Sequence, residues 1–128
     1  MHAPASHQDV PESVPYSRYA GYFYQRNPAE NLRRCIIWRE SSNNPEAISP
    51  GGHGGLYQLT DALWEGAVWM MRKDPQDPIT KAQRLELQAI PVWEASRYWQ
   101  DRAFYTVLNW QAPNSGLKHW AGGRWSCP

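Results

Sequence analysis

Phenylalanine and cysteine are scarce in this chain, with two of each in 128 residues. A net charge is almost absent too: 13 Lys and Arg against 12 Asp and Glu leave +1. Binding along a phosphate backbone needs a clear basic excess on at least one face, so no nucleic-acid partner is expected. No apolar run approaches the roughly 20 residues that cross a bilayer. The longest are cut by Arg39, Glu65 or Pro91, and the mean hydropathy is -0.73, so no membrane insertion is expected. There is no internal repeat and no run of like charge. The opening residues, MHAPASHQDVPESVP, lack the basic start and apolar run of a secretory leader. Their prolines and polar groups predict a flexible arm over residues 1–15 ahead of a single domain over residues 16–128. What the chain has in quantity is tryptophan, eight residues beside seven tyrosines. A flat apolar ring with a polar edge suits a packed core or a sugar-binding groove.

Local signals divide the domain. Residues 16–26 are aromatic and irregular, and no function can be read from them. Asn27, Pro28 and Glu30 form a helix start, with Asn as cap, Pro at the first position and Glu closing a capping pair. That helix should run to about residue 41, with Leu32, Cys35, Ile36 and Glu40 on one stripe and Ile37 beside it. Ser41, Ser42, Asn43, Asn44 and Pro45 end it, and the glycines around His53 predict a loop with a small hairpin. Residues 56–59 read as a short strand. Thr60 can cap a helix from 61 to about 73 with Leu63, Trp64, Ala67, Val68 and Met71 inward. Thr80 and Gln83 form a capping box. The helix they open should pass through Leu85, Ala89, Val92 and Trp93, reaching Trp99 with a bend or break at Pro91. Residues 104–128 read as one or two short helical turns and loops.

Cys35 and Cys127 would close a loop of 127 − 35 = 92 residues. A bridge would pin the chain end after Gly122, Gly123 and Trp125; two free buried thiols are the alternative. Glu40, at a helix end on the Ile36 and Ile37 side, suits a general acid if it is partly buried with no cation beside it. A solvated Glu paired with Arg39 or Arg34 is the plainer reading.

The stretch CIIWRESSNNPEAISPGGHGGLYQLTDALW resembles the lysozyme superfamily, specifically the lytic transglycosylases and the peptidoglycan enzymes like resuscitation-promoting factors. The resemblance is carried by Glu40-Ser41, by Asn44-Pro45 with Ala47, and by Gly55-Leu56-Tyr57-Gln58-Leu59 leading into Thr60 and Trp64. Further on, Trp120 and the Gly-Gly-Arg-Trp-Ser-Cys ending are loosely similar to resuscitation-promoting factor domains. In that family the first cysteine directly precedes the glutamate, whereas Cys35 lies five residues before Glu40, about 140° around the helix. Of the family's Ala-Tyr-Asn motif only Tyr105 and Asn109 are candidates.

The resemblance implies an α+β, mainly α fold: a lysozyme-like helical domain with a small β-hairpin beside the active-site groove. It implies Glu40 as the catalytic acid and a groove lined by the Gly-Leu-Tyr-Gln segment. Ser41, Tyr57, Gln58, Thr60 and His53 are then candidate substrate contacts, although a histidine among glycines is more simply a surface residue. The substrate would be peptidoglycan glycan strands, cut between N-acetylmuramic acid and N-acetylglucosamine, and the site of action the cell wall or a phage particle. With one acid a transglycosylase can use the sugar's own hydroxyl as nucleophile; a hydrolytic muramidase or a retaining enzyme would call on water or a second carboxylate. Glu46 is the nearest candidate for the latter, Asp61 reading as a first-turn residue and Glu65 as a solvated one. Arg102, Lys118 and Arg124 would favour acidic stem peptides. His2, His7, His53 and His119 have no metal-ligand spacing, so neither metal nor cofactor is expected. The protein is expected to be a monomer. A non-catalytic wall-binding module and a virion structural protein are the alternatives from other classes.

Overall fold

A computed structural model of the chain describes residues 30–75, 77–112, 114–120 and 127. The 1–15 arm, the 16–26 aromatic stretch, the Asn27-Pro28 cap, Arg124 and Trp125 lie outside the described residues. The described part is mainly helical: α1 (Glu30–Ser41), α2 (Asp61–Met71), α3 (Lys81–Gln88) and α4 (Arg97–Leu108), with 3-10 turns at Val92–Glu94 and Leu117–Trp120. None of its helices is long and apolar enough to cross a membrane.

The helices whose starts carry a side-chain cap form where the sequence places them. Thr60 Oγ1 accepts from Leu63 N at 3.1 Å and opens α2. Thr80 and Gln83 make the reciprocal pair at α3, Gln83 N to Thr80 Oγ1 at 3.0 Å and Thr80 N to Gln83 Oε1 at 2.9 Å. These bonds satisfy amides that a helix otherwise leaves unpaired. Trp64 is core, as its place on the apolar face of α2 suggests. Its indole N–H donates to Leu87 O and Ile90 O, binding α2 to the end of α3.

Two expectations fail beyond Pro91. No bent helix continues to Trp99: extended backbone at Pro91 and Ser96 brackets the Val92–Glu94 turn, and α4 begins afresh at Arg97. Residues 97–108 are then a full helix of 12 residues where short turns and loops were expected from 104. Every residue from 98 to 108 is buried, so α4 has no polar face to give it an amphipathic period. It is the central helix, packed against α2, which in turn packs against α3. Leu32, Ile36 and Ile37 of α1, Val68 and Met71 of α2, and Leu87 of α3 share one core with Trp99, Phe104 and Leu108 of α4.

A second correction concerns the hairpin. Between α1 and α2 the chain makes only single antiparallel bridges, Ile48 to Gly54 and Gly54 to Leu59. Residues 56–58 are a turn leading to the bridge residue Leu59 and not a strand, because Gly55 and Gln58 both take left-handed backbone, at φ 78 and 52. An extended run cannot hold two such residues within four.

Two charged networks fill the interior around α4. Arg33, from α1, donates to Asp101 at 3.1 Å, to the Tyr57 hydroxyl at 3.2 Å and to Glu30 at 2.6 Å. Arg102 donates to Asp74 at 3.2 Å, to Asp77 at 3.4 Å and to the Tyr98 hydroxyl at 3.3 Å. It is wholly buried. That removes Arg102 from any surface that could attract stem peptides. Of that basic set, Lys118 is exposed.

Candidate active site

The site begins at the last turn of α1. Ser42 and Asn43 take left-handed backbone at φ 54 and 64 and turn the chain out of the helix. Arg97 holds the exit by donating to Asn43 Oδ1 at 2.7 Å. Glu40 is left half-buried at that end, its side chain 24% exposed. The pairing with Arg39 named in the plainer reading is found, and the condition of no cation beside the carboxyl is not met: Arg39 Nε donates to Glu40 Oε2 at 3.1 Å. The side chain of Arg39 is only 3% exposed, and its Nη2 also donates to the carbonyl of Trp120. Trp120 in turn donates its indole N–H to Tyr57 O at 2.9 Å. Thus Arg39 and Trp120 join the two sequence motifs, Glu40 at one end and Gly55-Leu56-Tyr57-Gln58 at the other.

The loop from 45 to 59 is held from below by α4. Gln100 accepts from Leu56 N at 2.7 Å and donates to Pro45 O and Ala95 O, each at 3.0 Å. The glycines make that approach possible. A Cβ on Gly55 would lie 2.5 Å from Gln100 Oε1, and one on Gly54 would lie 2.3 Å from the Trp93 ring. Gln58, half-buried, folds back so that Nε2 donates to Ala47 O at 3.3 Å and Gly55 O at 3.0 Å. Gln100 and Trp93 escape sequence reasoning because both lie far along the chain from the loop.

Several candidate contacts carry bonds within the fold. Tyr57 is 1% exposed. Its ring stacks on Phe104 with centroids 4.5 Å apart, and its hydroxyl donates to Asp101 at 2.5 Å while accepting from Arg33. It faces the core, not a groove. Thr60 is exposed, with its hydroxyl occupied as the α2 cap. Ser41 Oγ donates back to Ile37 O at 3.0 Å. His53 is exposed, and its backbone N–H donates to Ser49 Oγ at 3.2 Å. Glu46 is exposed on a turn where its N–H donates to Asn44 Oδ1. Of the candidates, then, Glu40 is joined to the backbone of Tyr57, and Gln58 follows directly. Ser41, Thr60 and His53 are not drawn into that group. Tyr105 is also internal, its hydroxyl donating to Glu30 at 3.4 Å.

Burial, then the Asp101 carboxylate, raises the Tyr57 hydroxyl well above its ordinary range, and burial followed by Glu30 does the same for Tyr105. Both are neutral in the fold, whereas an unfolded tyrosine ionises near pH 10. Their stabilising contribution is therefore complete below about pH 10 and is lost as pH rises past it. Tyr57→Phe should cost about 1–3 kcal/mol of stability at neutral pH by leaving Arg33 and Asp101 short of a partner. It should also reduce the alkaline fall in melting temperature, leaving the share that Tyr105 contributes. An unaltered melting temperature across the pH range would remove Tyr57 from the buried network.

The disulfide alternative holds over free thiols: Cys35 and Cys127 are bridged with Cα atoms 5.7 Å apart. The tryptophans divide more evenly than core packing alone would give. Trp64, Trp99 and Trp120 are buried, Trp93 is half-buried, and Trp38, Trp69 and Trp110 are exposed. Among the described residues no group of three His, Cys, Asp or Glu is arranged to hold a metal ion. No family model, no curated protein and no solved structure matches this chain.

Proposed function

We propose that this chain is a peptidoglycan-cleaving enzyme of lysozyme-like architecture. It cuts the β-1,4 bond between N-acetylmuramic acid and N-acetylglucosamine with Glu40 as acid and base, as a lytic transglycosylase. The observation that carries the reading is the link from Glu40 through Arg39 and Trp120 to the Gly-Leu-Tyr-Gln turn. Two motifs that are specific only in combination are joined physically by side chains outside both. The mainly helical body with a glycine-rich loop beside the end of α1 also supports it.

The chemistry needs one carboxyl. Glu40 gives its proton to the glycosidic oxygen, and the bond from that oxygen to muramic C1 breaks. The muramic C6 hydroxyl closes on C1, and the Glu40 carboxylate takes the hydroxyl proton. The product is a 1,6-anhydro sugar, and the enzyme returns to its starting state. A single-acid route is favoured by the surroundings of the other candidates: Glu46 and Asp61 are both exposed, with no tie to Glu40. If water replaced the C6 hydroxyl, the same acid would give the reducing ends of a muramidase.

Mass spectrometry of muropeptides released from purified cell walls tests the reading. Products one water lighter than hydrolysed ends are expected. Reducing ends would assign a lysozyme instead, and walls bound but left uncut would reduce the chain to a binding module. No release and no binding would overturn the proposal.

A further inference from the structure

We infer that Arg39 is the positioning residue of Glu40, and that the Leu117–Trp120 turn, by holding Arg39, belongs to the active site. The inference rests on the reading of Glu40 as the acid and deepens it. A glutamate has three rotatable bonds, and a half-exposed one at a helix end samples several orientations unless something holds it. Here one oxygen is held. Arg39 Nε donates to Oε2 at 3.1 Å, and among the described residues Glu40 makes no other side-chain hydrogen bond. Oε1 is therefore the oxygen left to face a substrate. The arrangement survives a change of protonation, because an acid proton on Oε1 leaves Oε2 as a carbonyl oxygen that still accepts from Arg39.

Arg39 suits this task through its shape. Its guanidinium is rigid and planar, with donors on separate edges. The Nε edge meets Glu40, while Nη2 meets the carbonyl of Trp120. The side chain is 3% exposed, so the fork is enclosed rather than swinging in water. Trp120 is anchored in its own right, by its indole bond to Tyr57 O and by its ring against Phe104 at 4.8 Å. Cys35 lies one helical turn before Arg39 on the same face of α1 and is bridged to Cys127. The later chain is thus tied to the face from which Arg39 reaches Glu40.

Replacing Arg39 removes orientation but not the reacting carboxyl. Arg39→Gln is expected to lower kcat by about 10- to 100-fold with KM changed by less than about 3-fold, since misplacement of the order of 1 Å costs up to 10²-fold. Arg39→Lys, with a single nitrogen that cannot reach both partners, should recover only part of the loss. A folded Arg39→Gln with the kcat of the parent would overturn the inference. If that variant does not fold, the nitrogen-bound Hε signal of Arg39 decides, recorded by NMR in the parent and in Glu40→Ala, which removes the acceptor. A clear shift with faster solvent exchange supports the contact, and an unchanged signal overturns it. A parent protein that releases no muropeptide sinks both the function and this inference, whereas a parent that cuts and an Arg39→Gln that cuts equally well sinks the inference alone.

Discussion

Glu40→Gln is expected to slow release of soluble muropeptides from purified walls by about 10²- to 10⁴-fold, the usual contribution of a positioned acid. Glutamine keeps the shape and can still accept a hydrogen bond from Arg39 through its amide oxygen, but it has no proton to give to a glycosidic oxygen. The fold should tolerate the change. Glutamine keeps one bond to Arg39, but that side chain is only 3% exposed and loses its charge partner, so the melting temperature should fall by several degrees while the protein still folds. Turbidity clearing and a thermal melt on the same preparation separate the two effects. Full activity in folded Glu40→Gln would remove this residue from the chemistry, whatever muropeptides the parent releases.

Removing the bridge should have the largest effect on stability. Cys35 and Cys127 are 92 residues apart in sequence, and closing such a loop stabilises by about 4 to 5 kcal/mol in the chain-entropy model. For a chain of this size that corresponds to roughly 15–20 °C in melting temperature. The paired substitution Cys35→Ser with Cys127→Ser should reproduce the effect of a reducing agent, and adding the agent to the double variant should change nothing further. A melting temperature that barely moves would mean that the core alone carries the fold. The core is substantial: α4 is surrounded, and both buried arginines reach it or start from it.

The sequence revealed most where bonds are local. Thr60 with Leu63 and Thr80 with Gln83 are three residues apart, so the start of each helix is written within one turn. Glu40 at the end of α1 is legible for the same reason, and so is its partner Arg39, one residue away. α4 was not legible, because a helix buried on all sides has no polar stripe, and Gln100, Asp101, Arg102 and Thr106 look in isolation like a solvated run. What makes them interior residues lies elsewhere: Asp101 meets Arg33 across 68 positions, and Arg102 meets Asp74 across 28. Arg33 did carry a hint, standing four residues before Ile37 and so on its side of α1. Nothing local marks Tyr57 as buried, because it sits among glycines and polar residues, where an aromatic ring looks exposed. Its burial depends on Phe104 and Trp120, neither of which is near it in the chain.

Gln100 binds the loop beside the candidate site entirely through main-chain atoms, Leu56 N and Pro45 O, and ties it to Ala95 O just before α4. A clamp of that kind is blind to side-chain identity. The exposed Glu46, Ile48 and Pro50 can therefore be exchanged in a library without loosening that clamp, provided that Gln100, Gly54 and Gly55 stay, whereas Ser49 also holds the His53 N–H through its side chain. The rim of the candidate site is in this sense an exchangeable surface on a fixed frame.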